Sequence, residues 1–191
     1  MHTYHQVLGI ALRELLVEKG VVTAEELREM LERREATTPA EGARVVARAW
    51  LDEDFRARLL EDGNAAVSEL GLEMSTAKLV ALENTEGVHN VVVCTLCSCY
   101  PREILGLPPS WYKSRAYRAR VVREPRTVLA ELGTVIPTEV EVRVHDSTAD
   151  VRYLVVPRRP EGTDGMTGGE LAELVTRDAM VGVAGARRPG A

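Results

Sequence analysis

The stretch Val88-His-Asn-Val-Val-Val-Cys94-Thr-Leu-Cys97-Ser-Cys99-Tyr100 carries the reading on which the fold turns. Its first half is a nearly unbroken β-branched run, which predicts a buried strand over 88–93. That strand leads straight into C-x-x-C-x-C, which uses all three cysteines of the chain. An odd number rules out a complete disulfide framework, and gathering every thiol into one bend points to shared chemistry. Three thiolates this close converge on one ion only if the backbone wraps it, and the Cys97-Ser98-Cys99 step then carries the intervening amides to the metal as well. Ligation by the Ser98 and Cys99 nitrogens requires both to lose a proton, which suits a trivalent low-spin ion better than Zn²⁺ and leaves a sixth position open. Other readings stand beside this one. A structural zinc site takes four side-chain ligands, and here only His89, on the strand, is near enough to recruit. An iron–sulfur site wants four thiolates, a Cys94–Cys97 redox pair leaves Cys99 without a task, and inert buried thiols need no such spacing.

Downstream of the bend, Pro101, Gly106, Pro108 and Pro109 mark a loop. Helices are expected over 110–117 and 125–132, the second ended by Gly133. Glu139–His145 alternates polar with apolar and Val151–Val156 is apolar, so the two read as a hairpin turning through Asp146–Asp150. A last helix is expected over 169–178, and 186–191 should fray. Upstream, 78–83 reads as another strand, but before it the period is helical. Ile10, Leu12, Leu15, Leu16 and Val17 stop at Gly20, and Thr23 with Glu26 has capping-box spacing. Thr38, Pro39 and Glu41 repeat the box ahead of Val45, Val46, Ala49 and Trp50. Asp52 caps a helix through Phe55, Leu59 and Leu60 to Gly63, and 65–70 is a short helix closed by Gly71. The fold class is therefore α+β: a helical N-terminal arm or layer over 1–73, then an α/β-layered metal-binding domain over 74–191.

At 191 residues, with 45% hydrophobic and 28% charged, the chain has enough apolar material for a core and is not a disordered segment. No long uncharged apolar run offers a membrane span. A net charge of −5 excludes a uniformly basic nucleic-acid surface. Arg13, Glu14, Glu18 and Lys19 interrupt any secretory signal, so a cytoplasmic location is expected. The basic strip Lys113, Arg115, Arg118, Arg120, Arg123 and Arg126 is interleaved with Trp111, Tyr112 and Tyr117, a pattern that leaves both a nucleic-acid contact and a partner contact open. His2, His5, His89 and His145 show no catalytic spacing and are expected to be solvated or satisfied in the core.

Val93-Cys-Thr-Leu-Cys-Ser-Cys-Tyr100, Leu105-Gly-Leu-Pro-Pro109, Trp111-Tyr-Lys-Ser114 and Tyr117-Arg-Ala-Arg-Val-Val-Arg-Glu-Pro-Arg126 together resemble the α subunit of nitrile hydratases and the related metal-bearing subunit of thiocyanate hydrolase. The likeness extends through Arg143-Val-His-Asp146, Arg152-Tyr-Leu-Val-Val-Pro157 and Arg159-Pro-Glu-Gly-Thr163 to about Val183, and is loose over the N-terminal helices. It implies a non-corrin cobalt(III) or non-heme iron(III) centre held by the sulfurs of Cys94, Cys97 and Cys99 and the backbone nitrogens of Ser98 and Cys99. Threonine at 95 with tyrosine at 100 resembles the cobalt type; iron-type members carry serine at the Thr95 position. The resemblance further implies oxidation of Cys97 to sulfinic and Cys99 to sulfenic acid, with Cys94 unmodified, a change the oxidation ladder makes chemically reasonable.

The implied activity is hydration of a nitrile to its amide, a lyase reaction, with Cys99 and Ser98 as catalytic residues and Asp146 and Arg152 as a supporting polar network. A trivalent ion among three thiolates and two amidates is anionic, so cations must approach it; in this family they are arginines of a β-type subunit. One departure stands out. Members usually read Tyr-Pro-Trp-Pro after the last cysteine, whereas here Tyr100-Pro101-Arg102-Glu103 makes the expected pocket wall, Tyr100 and Arg102, more polar. This suits a larger heteroaromatic nitrile of the kind toyocamycin nitrile hydratase handles, or an anion such as thiocyanate. The competing readings are a thiocyanate hydrolase metal-bearing subunit and a non-catalytic metal-binding or metal-delivery homologue. Met166 replaces a frequent tryptophan, a change for which nothing accounts.

Overall fold

The computed structural model describes residues 3–75 and 77–190. The chain divides into two compact units, Met1–Ala36 and Thr37–Ala191. In the first, α1 (Tyr4–Glu18) starts earlier than its apolar run suggests, because Thr3 and Gln6 close a capping box. The box expected ahead of α2 (Ala24–Ala36) is present: Thr23 N–H donates to Glu26 Oε2 at 2.8 Å, and Glu26 N–H returns to Thr23 Oγ1 at 3.1 Å.

The second unit is mixed α+β. Three helices come first, α3 (Pro39–Leu51), α4 (Glu53–Glu61) and α5 (Gly63–Ser68). Strands β1 (Lys78–Glu83) and β2 (Val88–Val93) follow, then α6 (Arg102–Leu105), α7 (Ser110–Lys113), α8 (Arg115–Arg120) and α9 (Pro125–Glu131). Strands β3 (Glu141–Asp146) and β4 (Val151–Val156) lead to α10 (Gly168–Glu173) and α11 (Arg177–Val181). Asp52 and Asp62 cap α4 and α5 through the backbone N–H groups of Phe55 and Ala65. At α3 the expected box does not close: Thr38 accepts from Ala40, and the Glu41 carboxylate turns forward to Arg44 at 2.6 Å.

Three local expectations are corrected. Residues 102–105 form a helical turn rather than loop, with Leu105 N–H bonded to Pro101 O at 2.9 Å. The helix expected over 110–117 breaks at Ser114, whose extended backbone leaves its hydroxyl to cap α8 at Tyr117 N–H. The last helix likewise splits, because Thr167 and Thr176 each cap a separate short helix.

The larger correction concerns the hairpin. β3 does not pair with β4; it pairs in parallel with β2, and β4 pairs in parallel with β1. Only the turn survives, held by Thr148 N–H to Val151 O. Leu154, Val155 and Val156 of β4 are fully buried, so this strand needs cover that the alternating β3 does not offer. It finds cover beside β1 and α11, while the half-exposed β3 takes the flank of β2. α3 lays Val45, Val46 and Ala49 into the same core, and Asn64 of α5 pins β1 by accepting from Leu79 N–H at 2.6 Å.

His89, Asn84 and Asn90 are the buried polar cluster between the strands. His89 Nε2 lies 2.7 Å from the carbonyl of Gly182, which a neutral Nε2–H tautomer satisfies. Gly182 ends α11 in the left-handed region (φ +83), and a Cβ there would stand 1.9 Å from Asn90 O. Gly162 is equally left-handed (φ +75) but open. Gly182→Ala is therefore expected to cost about 3 kcal/mol or more and Gly162→Ala about 1 kcal/mol, read as urea midpoints.

Burial holds the pKa of His89 and of His145 below the usual histidine value. Each then binds fewer protons folded than unfolded, so its contribution to stability is intact above about pH 6.5 and is lost as pH falls below that value. Unfolding titrations at about pH 7.5 and about pH 5.5 should show this slope, and His89→Gln should flatten it.

Candidate metal centre

The cysteine bend begins where β2 ends. Parallel pairing sets Val93 opposite Asp146, and Ser147 N–H extends the ladder to Val93 O at 2.7 Å. The last residue of β3 therefore lies beside the first residues of the bend. Asp146 Oδ1 accepts from Thr95 N–H at 2.9 Å and Oδ2 accepts from Thr95 Oγ1 at 2.5 Å. Two more side chains hold the bend from other elements. Tyr112 of α7 donates its hydroxyl to Cys99 O at 2.8 Å, and Arg118 of α8 donates to Leu96 O at 3.0 Å and Thr95 O at 3.4 Å. Tyr117 Oη anchors the strand itself at Val92 O.

So held, Cys94 lies fully buried, Cys97 exposed and Cys99 between the two, with no disulfide among them. Cys97 Sγ stands 3.6 Å from Cys94 Sγ and 3.4 Å from Cys99 Sγ, and all three sulfurs lie within 4.8 Å of one another. Sulfurs about 2.3 Å from a common ion stand roughly 3.3 Å apart at right angles and roughly 3.8 Å apart at tetrahedral angles, so these spacings fit one shared ion. Among the described residues this is the one group of three or more such side chains able to hold a metal. Cys97 N–H donates to Cys94 Sγ at 3.3 Å, and the main-chain N–H groups of Ser98 and Cys99 help to hold the Cys97 thiol below its ordinary pKa.

The thiols are electrostatically unequal. The Cys99 thiol, the Ser98 N–H and the Cys94 thiol lower Cys97 to about 7, whereas burial first and the neighbouring thiols second push Cys99 up to about 12. Arg152 opposes that rise, which places its charge within reach of Cys99. Its guanidinium also donates to Val151 O at 3.2 Å and to Thr148 O, and no ion pair with Asp146 forms among the described residues. Asp146 and Arg152 therefore approach the bend separately.

Tyr100 turns inward: it is 2% exposed, with its ring edge-on to Tyr112 at 5.2 Å. Arg102, on the first turn of α6, is exposed and its side chain makes no hydrogen bond or ion pair among the described residues; its neighbour Glu103 accepts from Ser75 instead. Tyr112 and Arg118 were not singled out as site residues by the sequence, where they sit inside the aromatic and basic strip. No local pattern separates Arg118 from Arg120, which pairs with Glu124 and Glu131, or from Arg126, which caps the carbonyls of Ile136, Pro137 and Val140.

The family model "Nitrile hydratase, alpha chain" matches residues 3–184. The low-molecular-weight cobalt-containing nitrile hydratase subunit alpha of Rhodococcus rhodochrous is 51% identical over 91% of this chain and 84% of its own. Among solved structures, a recombinant thiocyanate hydrolase with partially modified cobalt centres superposes with a TM-score of 0.93 at 43% identity, covering 99% of this chain and 93% of that one. A double mutant of the Fe-type nitrile hydratase from Comamonas testosteroni Ni1 gives 0.90 at 42% identity, over 97% and 91%. The fold and site thus define a metal-binding cysteine bend on an α+β scaffold. The chain belongs to the nitrile hydratase alpha chain family. No helix among the described residues is long and apolar enough to cross a membrane.

Asp146→Ala removes both acceptors of the Thr95 clamp, a loss worth about 2 kcal/mol of order in the bend. It is expected to release a bound metal ion to a chelator faster than the parent chain does, with Asp146→Asn between the two, as followed by elemental analysis of the retained protein.

Proposed function

We propose that this chain is the metal-bearing α subunit of a nitrile hydratase, converting a nitrile to its amide at a non-corrin, low-spin Co(III) centre, with iron(III) the poorer fit. The observation that supports this best is the bend itself: three sulfurs within 4.8 Å of one another, with the main chain of Ser98 and Cys99 joining two of them. Cys94, Cys97 and Cys99 would hold the ion through sulfur, and Ser98 and Cys99 through nitrogen. Zinc asks for a fourth side-chain ligand, and among the described residues no fourth His, Cys, Asp or Glu joins the cluster. Bound there, a trivalent ion supplies Lewis acidity that polarises a nitrile nitrogen or acidifies a water.

The chain's own residues do the rest. The burial gradient favours oxidation, by dioxygen or a peroxide as oxygen donor, of exposed Cys97 to the sulfinic acid and of partly buried Cys99 to the sulfenic acid, while buried Cys94 is shielded. The Cys99 sulfenate oxygen then acts at the substrate carbon as nucleophile, or takes a proton from water as base. The Ser98 hydroxyl, unpaired among the described residues, orients water or substrate. Asp146, Tyr112 and Arg118 keep the bend in shape, and Arg152 offsets part of its negative charge. Arg102, whose exposed side chain is unpaired among the described residues, would supply a cation to a polar heteroaromatic nitrile, and Tyr100, buried against Tyr112, would back the pocket from the core side. We take 74–191 as the catalytic half and 1–73 as the helical layer, in a cytoplasmic hetero-oligomer.

A β-type partner is part of this reading. No arginine of the chain hydrogen-bonds a cysteine sulfur among the described residues, and Leu96, at the tip of the bend, is 88% exposed. Cations and apolar cover must then come from outside. The unpaired Arg102 favours one second reading, a thiocyanate hydrolase subunit that attracts an anionic substrate.

Co-expression with a β-type chain in cobalt-supplemented medium, followed by assays on aromatic nitriles and on thiocyanate, separates these readings. Amide formation is expected, and the 94–99 peptide should carry two added oxygens on Cys97 and one on Cys99. Ser98→Ala should lower kcat about tenfold or more, roughly 1.4 kcal/mol, at unchanged metal content. Full occupancy by zinc with activity retained would remove the trivalent centre, and a loaded complex inert on both substrates would leave a non-catalytic metal carrier.

A further inference from the structure

Immediately beside the cysteine bend lies a groove of about 390 Å³ lined by Thr95, Arg115, Arg118, Ala119, Val122 and Arg123. Three of its six lining residues are arginines and none is acidic, in a chain whose net charge is −5. The side chains of Arg115 and Arg123 are exposed and make no hydrogen bond or ion pair among the described residues. Arg118 spends Nη1 on the carbonyls of Thr95 and Leu96, yet its Nε is buried without an acceptor. A buried guanidinium N–H left unpaired costs free energy that an incoming acceptor would recover. Val122, 45% exposed on the same wall, and the exposed Leu96 near its rim give the groove an apolar margin.

Resting on the partner reading above, we propose that this groove receives a carboxylate, carried next to an apolar side chain, from the β-type subunit. Two unpaired guanidinium groups and one incompletely paired one match a carboxylate's two oxygens, and the apolar margin asks for a neighbouring nonpolar residue. Arg118 would then touch the partner on one side and the main chain of the cysteine bend on the other. Docking of the partner and the shape of the metal loop are thereby joined through one side chain.

The test uses the cobalt-loaded chain and the β-type chain produced with it. Binding is titrated at low salt and at about 0.5 M salt for the parent chain and for Arg115→Glu/Arg123→Glu, two surface changes. The expected result is at least tenfold weaker assembly of the double variant at low salt and a clearly smaller salt dependence, with an unchanged circular dichroism spectrum. Arg115→Gln/Arg123→Gln should lie between. If the parent binds no β-type chain, the partner reading and this one fall together. If parent and double variant assemble equally well, the groove proposal alone falls. It falls too if inorganic phosphate raises the melting temperature of the parent but not of the double variant while assembly is the same, since the groove is then a small-anion site.

Discussion

The pair of bonds from Asp146 to Thr95 is the constraint on which the cysteine bend depends. A loop that gathers three sulfurs opposes its own chain entropy and concentrates like charge once the thiols ionise. Something outside the loop must hold it, and a carboxylate taking both polar hydrogens of one residue does so with direction as well as strength. That grip exists because β2 and β3 run parallel and in register, so that the two strands end side by side. Shift the register by one and Asp146 would turn to the opposite face. The geometry of the bend is thus inherited from strand pairing.

Burial then sorts the three thiols. Cys94 is sealed at the strand end, Cys97 faces outward and Cys99 lies between, so one short segment holds sulfurs with very different access to oxidant and solvent. The same sequence of exposures leaves the outer face of the cluster without cations of its own. Arg152 acts from a distance and Arg118 holds carbonyls rather than sulfurs, so intrachain charge shapes the bend more than it neutralises it.

Local chemistry made much of this legible in the chain. The buried strand, the Thr23 capping box, the Asp52 cap and the helical opening all follow from short-range periodicity and hydrogen-bonding side chains, and the structure reproduces them. The hairpin failed for the opposite reason. Adjacency and alternation favour pairing β3 with β4, but the choice of partner is made by how much apolar surface each strand must cover, which is a property of the whole core. The helix breaks at Ser114 and between α10 and α11 came from the same kind of oversight, since a capping hydroxyl inside an apolar stretch is as much a stop as a start.

At the site the division is sharper. The cysteines announce themselves by spacing, because no other use of three thiols in one bend is so economical. Tyr112 and Arg118 do not, because each acts through a main-chain carbonyl, and any tyrosine or arginine can do that from any position that tertiary structure brings near. Such residues are visible only once the fold is known, yet they decide whether the bend keeps its shape. The sequence motif therefore supplies the three clustered thiols, while the aromatic and basic helices after it supply the rigidity that turns a flexible cysteine-rich loop into a site with one geometry.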